Sequence, residues 1–146
     1  MRLLLVAVAS VVVACAACAT SSEVSGERRN VGNVTVTFTA VPARAKRGQS
    51  VRLTIRLLNN SGRPATLTFP SSQRYDFWIT SGAREVWRWS AGRMFAQDVT
   101  HQELAGQTGA SFAESWPATE GGKLVAHAHL TAQDYDGDLT AHVDVE

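Results

Sequence analysis

Hydrophobic and polar residues alternate along most of the chain with a period of two. The clearest example is the segment 34–40, in which apolar side chains alternate with threonines. The same alternation returns over residues 51–57 and again over residues 65–69. A period of two is typical of β-strands that bury one face and leave the other in water. This part of the chain is therefore predicted to form strands rather than helices.

Turn-forming residues separate these strands from several more. Asn59 to Pro64 is rich in turn residues, Ser81-Gly82 is expected to reverse the chain, and Asp136-Gly137 is a favoured two-residue hairpin turn. Further strands are predicted over residues 75–80, 85–89, 112–116, 123–132 and 139–146, with an irregular stretch at 90–108. The pattern predicts an all-β domain over residues 31–146, an immunoglobulin-like antiparallel β-sandwich of about seven or eight strands.

The first residues have the layout of an export signal. Arg2 precedes the apolar run Leu3–Ala14, which is too short for a permanent membrane span of about 20 residues. The end of this run, Val12-Val13-Ala14-Cys15, resembles the lipobox of bacterial lipoproteins, in which the cysteine becomes the lipidated first residue. We expect a signal peptide at 1–14 and a lipid-attachment cysteine with a flexible tether at 15–30. Cys18 is the alternative lipidation site, and cleavage without lipidation after Ala16 is the other alternative.

Both cysteines of the chain lie at this boundary, so the domain has no thiol for a disulfide, a nucleophile or a zinc site. Lys and Arg number 14 against 13 Asp and Glu, and loss of Arg2 with the signal would balance them. A neutral chain does not favour nucleic acid as a partner. Recognisable catalytic and phosphate-binding motifs are missing from the sequence. We therefore expect a binding protein without enzymatic activity, cofactor or small-molecule substrate, exported to the periplasm or cell surface and anchored to the membrane by its lipid.

The middle of the chain carries a string of aromatic and polar residues with a distinctive spacing. After Asn59-Asn60-Ser61 these residues are Ser72, Gln73, Tyr75, Asp76, Phe77, Val86, Trp87, Arg88, Trp89, Ser90, Phe95 and Trp116. The string resembles the intracellular proteinase inhibitor (BsuPI) family, although the family's Pro-Gly before the late strand is Ala105-Gly106 here. The resemblance implies an immunoglobulin-like sandwich and inhibition of a subtilisin-type serine protease. It implies no reactive-site residue that maps onto this chain.

Two features of this string have competing interpretations. Trp87 and Trp89 share one face of their strand, and a turn of odd length would direct them into the core, whereas an even turn would direct Arg88 there. Burial of two tryptophans is more favourable than burial of an arginine, so we predict an odd turn and core tryptophans. The alternative is a ligand-facing loop. Asp76 has no histidine or second carboxylate nearby in sequence and is predicted to accept hydrogen bonds rather than to catalyse.

The last predicted hairpin collects histidines on one face. Alternation places His127, His129, His142, Asp144 and Glu146 opposite the apolar Leu130, Leu139 and Val143. A two-residue turn at Asp136-Gly137 would set His129 opposite Asp144 and His127 opposite Glu146. His127, His129, His142 and Asp144 could then hold zinc or copper. A solvated polar face is the competing interpretation.

The function predicted from the sequence is that of a proteinase inhibitor that plugs a protease cleft with a rigid loop. The two candidate loops are Arg84–Arg93 and Gly92–Thr108. A cell-envelope module that binds other proteins through an exposed sheet edge or face is the alternative, and metal capture by the histidine face is a third.

Overall fold

The computed structural model describes residues 23–146, and this range contains eleven strands. They are β1 (Ser25–Val31), β2 (Val34–Val41), β3 (Arg44–Ala45), β4 (Ser50–Asn59), β5 (Ala65–Phe69), β6 (Tyr75–Ser81), β7 (Arg84–Arg88), β8 (Thr100–Leu104), β9 (Gly109–Pro117), β10 (Gly122–Leu130) and β11 (Leu139–Val145). Across residues 23–146, no helix has the length and apolar character needed to cross a membrane.

The strands form two main sheets that enclose one core. Sheet I has the order β1-β2-β4-β9, and sheet II has the order β3-β11-β10-β6-β7. Neighbouring strands are antiparallel except for the short parallel pair β3–β11, and β5 and β8 form a separate two-stranded sheet. The predicted all-β sandwich is confirmed.

The core consists of the apolar side chains that alternation predicted to point inward. Phe38 and Ile55 of sheet I are fully buried, as are Phe77 and Ile79 of sheet II. The rings of Phe38 and Phe77 lie 5.9 Å apart across the sandwich. The inner faces of both sheets therefore pack against each other, as in other face-to-face sandwiches.

Three strands, β1, β3 and β8, occupy segments for which no strand was predicted, so the described residues form eleven strands rather than about seven or eight. Residues 25–31, expected within the tether, form β1, which pairs with β2 along its whole length through a turn containing Gly32 at φ 57°. Glu27 of β1 also accepts a hydrogen bond from the backbone N–H of Thr140 across the sandwich edge. Residues 100–104 form β8 in the stretch predicted to be irregular. β8 pairs with β5 and β3 pairs with β11, which are distant in sequence, whereas β1 pairs with the adjacent β2. Pairing, rather than local alternation, defines these strands.

The sandwich has two ends, which we call proximal and distal. The proximal end contains the start of β1 at Ser25, the loop 46–49 and the Gly82–Ala83 turn. The distal end contains the Asn59–Arg63 turn, the loop 89–99 between β7 and β8, and the loop 131–138. The first described residues and the loop 89–99 therefore lie at opposite ends of the domain.

Candidate functional site

A β-bulge in the β6–β7 hairpin sets the direction of the two tryptophans. The hairpin turns through two residues, Gly82–Ala83, so the prediction of an odd turn is wrong. Val86 is then left without a partner, and the register shifts so that Trp87 pairs with the buried Ile79. Trp87 and Trp89 consequently pack against the core, as predicted. The predicted inward direction of the two tryptophans is right although the predicted turn length is wrong, because the bulge at Val86 adds the one residue that an odd turn would have added.

A buried carboxylate fixes the point where the chain leaves β7. Asp76 is only 6% exposed. Its Oδ1 accepts hydrogen bonds from the backbone N–H groups of Phe77 at 2.9 Å and Ser90 at 3.3 Å. Its Oδ2 accepts from the Ser90 hydroxyl at 2.7 Å and from Nη1 of Arg88 at 2.6 Å. The predicted role of Asp76 as a hydrogen-bond acceptor agrees with these contacts, which hold Ser90 against β6.

Arg88 is held by a second carboxylate on the outer surface. Its guanidinium donates to Glu85 at 2.8 Å and lies 4.7 Å from the ring centre of Trp78. The hydrogen bond to Glu85 and the interactions with Asp76 raise the pKa of Arg88 above its usual value. Arg88 therefore remains charged and clamps Asp76 from the solvent side.

A stack of aromatic rings supports the base of the following loop. The ring of Trp89 lies 4.5 Å from that of Tyr75, which lies 5.0 Å from Phe112 on sheet I. Phe95 packs against the Trp89 ring at 5.8 Å. The Tyr75 hydroxyl donates to Glu114 at 2.6 Å, and burial, followed by this carboxylate, raises the pKa of Tyr75. The stack links both sheets directly beneath the loop.

The far side of the loop is pinned by a reciprocal pair of hydrogen bonds. Ser72 donates its backbone N–H to the carbonyl of Ala96 at 2.9 Å, and the N–H of Ala96 donates to the Ser72 hydroxyl at 2.9 Å. Between the two attachments a tight turn runs from Ser90 to Arg93, closed by a 3.0 Å backbone hydrogen bond. Gly92 occupies its third position at φ 74°, a conformation that favours glycine. We call residues 89–99 the braced loop.

The tip of the braced loop presents one apolar side chain to solvent. Met94 is 98% exposed. Its neighbours are both turned toward the domain, because Arg93 lies over the Trp89 ring at 4.5 Å and Phe95 packs on the same ring. The arrangement is a rigid projection suited to insertion into a cleft on another protein.

The two loop candidates from the sequence are only partly loops. Arg84–Arg93 is mostly strand β7, and Gly92–Thr108 includes strand β8. The projecting segment overlaps both but coincides with neither. Ser72 and Phe95 belong to the string that resembles the family, but no role in holding a loop was predicted for them. Met94 was not singled out, since hydrophobic alternation gives no signal in the irregular stretch 90–108. Gly92 at the turn was a local signal that could have marked the projecting segment.

The residues of the aromatic string divide between the loop base and more distant positions. Tyr75, Asp76, Phe77, Trp87 and Trp89 come together near the base of the braced loop. The side-chain amide of Gln73 donates to the backbone carbonyl of Tyr75 at 3.2 Å. The backbone carbonyl of Gln73 accepts a hydrogen bond from the Thr131 hydroxyl. Trp116 is fully buried opposite Val51, near the proximal end.

The asparagine turn at the distal end is also structural. Asn59 is fully buried, and its Nδ2 donates to the carbonyls of Arg63, Leu104 and Ala105. Its Oδ1 accepts from the backbone and the hydroxyl of Ser61. Asn59 thereby joins the turn after β4 to the turn between β8 and β9.

The histidine face has the predicted exposure but not the predicted register. His127, His129, His142, Asp144 and Glu146 are all more exposed than the buried Leu130, Leu139 and Val143, as expected. The connection between β10 and β11 is the eight-residue loop 131–138 rather than a two-residue turn. His127 therefore pairs with Thr140, and His142 pairs with Val125, so the predicted cross-strand pairs are wrong.

The long β10–β11 loop is held by distant contacts. Arg29 of β1 donates to the carbonyls of Asp136 and Asp138, and Tyr135 packs against the core. The predicted metal ligands are consequently separated: His127 stacks on Trp78, and His129 contacts Asp138 at 3.0 Å. In the described part of the chain no three His, Cys, Asp or Glu residues gather into a metal-binding group. The lipidation candidates Cys15 and Cys18 lie outside the described residues.

Comparison with known proteins identifies one family. The model of the family described as intracellular proteinase inhibitor, BsuPI, matches residues 38–135. No curated protein matches the chain.

Similar solved structures include an alkylpurine DNA glycosylase from Pseudomonas fluorescens, with 15% identity, a TM-score of 0.42 and coverage of 73% of this chain and 28% of that one. A β-glucosidase from Listeria innocua has 11% identity, a TM-score of 0.42 and coverage of 86% and 16%. A CARDB domain from Pyrococcus furiosus, described in complex with di-metal ions, has 12% identity, a TM-score of 0.40 and coverage of 83% and 94%. The chain thus spans less than a third of the first two proteins.

Proposed function

The chain belongs to the intracellular proteinase inhibitor (BsuPI) family, a family of inhibitors rather than enzymes, and we propose that it inhibits a serine protease by inserting the braced loop into the active-site cleft. The observation that carries this proposal is the combination of an exposed tip with two fixed ends. Met94 is 98% exposed, while Asp76 holds Ser90 on one side and Ser72 holds Ala96 on the other.

Rigidity is the property that an inhibitory loop needs most. A flexible segment loses conformational entropy when it enters a cleft, whereas a loop already held in one conformation loses much less. The backbone of the braced loop is fixed by the Ser90–Arg93 turn and by the hydrogen bonds of Ser72, and its side chains rest on the Tyr75–Trp89 stack. These contacts favour tight association without any chemistry by the inhibitor.

We further propose that the protein is exported and anchored through a lipid on Cys15, with the braced loop facing away from the membrane. The described chain starts at Glu23 and enters β1 at the proximal end, whereas the braced loop lies at the distal end. The three longest strands of sheet II, β6, β10 and β11, have seven, nine and seven residues, a span of roughly 25 Å at about 3.3 Å per residue. An N-terminal anchor is compatible with access of a protease to the loop.

An inhibition assay on the purified protein tests the proposed function. We expect the intact protein to inhibit subtilisin at micromolar concentration or below. Replacement of residues 92–97 by a short glycine-containing turn should abolish inhibition while the domain remains folded, because loops contribute little to the core. Leu58→Ala, at an exposed apolar position on the outer face of sheet I, is the control and should inhibit normally. An inactive intact protein, or a trimmed variant that still inhibits, would contradict the proposal.

A further inference from the structure

The braced loop carries two adjacent side chains that proteases of different specificity would take into their primary pocket. Arg93 suits a pocket with a carboxylate at its base, and Met94 suits an apolar pocket. Resting on the proposed function, we infer that Met94 is the primary anchor and that the target is a protease with an apolar primary pocket, not one specific for basic residues.

Arg93 is committed to contacts within the domain. Its Nε donates to the carbonyl of Trp89 at 2.9 Å, and its guanidinium carbon lies 4.5 Å from the centre of the Trp89 ring. Its backbone N–H closes the turn with Ser90. Entry of this side chain into a pocket would break a charged hydrogen bond and a cation–π contact and would expose the ring beneath. Arg93 therefore acts as a brace for the tip.

Met94 is free to enter a pocket. Single exposed apolar residues are common on protein surfaces, and Leu58, Val24 and Val99 are exposed at 47%, 63% and 60%. Met94 differs from them because it reaches 98% and sits between two residues that are fastened to the same tryptophan. An unbranched, flexible thioether can adapt to an apolar pocket of irregular shape.

The order of side chains around Met94 matches an extended, substrate-like segment. Arg93 and Phe95 turn toward Trp89, and Met94 between them turns outward. Side chains on alternate sides are the geometry of extended backbone. The acidic residue nearest in sequence, Asp98, lies four positions after Met94. Nothing charged therefore immediately follows the anchor on its C-terminal side.

Specificity follows from the chemistry of the pocket base. A basic-specific pocket would bury its carboxylate against a thioether, which offers no hydrogen bond, and binding sites reject partners that leave a buried polar group unpaired. We expect inhibition of trypsin to be at least about 100-fold weaker than inhibition of subtilisin, whose primary pocket is apolar.

Inhibition constants for substitutions at positions 93 and 94 test the inference. Met94→Ala should weaken inhibition of subtilisin by at least about 30-fold, the scale of an interface hot spot, whereas Met94→Leu should remain within a few-fold. Leu58→Ala, at an exposed apolar position of β4 outside the braced loop, is the matched control. Melting temperatures of the Met94 variants should stay close to that of the unsubstituted protein, since Met94 contributes no burial.

The outcomes separate this inference from the proposed function. If Met94→Ala inhibits subtilisin as well as the unsubstituted protein does, or if trypsin is the better target, the choice of anchor is wrong while inhibition by the loop stands. If Arg93→Ala abolishes inhibition of trypsin without affecting subtilisin, Arg93 is the anchor for a basic-specific target and the inference is overturned. If the unsubstituted protein inhibits neither protease, both the anchor and the proposed function fail.

Discussion

Removal of the Asp76 carboxylate should destabilise the domain and release the braced loop. We consider Asp76→Ala, which deletes both oxygens, and Asp76→Asn, which keeps the shape but removes the charge. Asp76 accepts four hydrogen bonds, one from Arg88, one from Phe77 and two from Ser90. Each variant therefore changes the coupling between β6, β7 and the start of the loop.

The magnitude follows from burial and charge. Removing one partner of a buried ion pair costs about 3–5 kcal/mol, since the remaining charge loses its partner. The Asp76 side chain is 9% exposed and that of Arg88 is 33% exposed, so Arg88 regains some hydration and the lower part of this range applies. We expect Asp76→Ala to lower the free energy of unfolding by about 3–4 kcal/mol. Asp76→Asn retains one acceptor oxygen, and we expect about 2 kcal/mol.

Urea denaturation and limited proteolysis measure the two consequences. The denaturation midpoint gives the loss of stability, with an unchanged slope if only the folded state is affected. Ser90 is no longer held, so the loop should become a better substrate for subtilisin, with cleavage within residues 89–99. Asp98→Asn, an exposed acidic residue of the same loop, should change stability by less than about 0.5 kcal/mol.

Two results would refute this reasoning. A loss below about 1 kcal/mol for Asp76→Ala would mean that the buried pair contributes no more than an exposed one. If Asp76→Ala loses the expected free energy of unfolding but its loop resists cleavage as well as before, Asp76 supports the sheet and not the loop.

Three further predictions concern other parts of the chain. Gly106→Ala should destabilise the domain by about 1–3 kcal/mol, because a Cβ at this position would lie 2.5 Å from a backbone carbon of Gly62. Gly62→Ala is the control, since a Cβ there meets nothing within 4 Å. Equal melting temperatures of the two variants would contradict this. Burial lowers the pKa of His127 below 6.5, so the unfolded chain binds more protons than the folded chain as the pH falls through 6.5. The urea midpoint of the unsubstituted protein should therefore fall between pH 7 and pH 5 by more than the midpoint of His127→Gln does. Identical pH profiles of the two proteins would contradict this. Cys15→Ser should release the protein from membranes or block its processing, whereas Cys18→Ser should do neither. Cell fractionation with lipid labelling measures this. A label that followed Cys18 instead would reverse the assignment.

The sequence alone determined which segments form the strands with clear alternation and which face of those strands points inward. In the segment around Phe38 and in the last two strands, apolar residues at every second position predict the buried side chains correctly. The predicted partner of His127 was Glu146, and the observed partner is Thr140, six residues away. The buried face is nevertheless the predicted one, because a shift by an even number of residues leaves every side chain on the same face.

Register, bulges and the braced loop were decided by the tertiary structure. The β10–β11 loop is held by hydrogen bonds from Arg29, more than one hundred residues earlier, and the direction of Trp87 depends on the bulge at Val86. The clamp between Asp76 and Ser90 joins residues fourteen positions apart. Alternation is a local property that each strand expresses by itself. Turn length and loop conformation depend on contacts between distant residues, so only the folded chain specifies which side chain projects at the distal end.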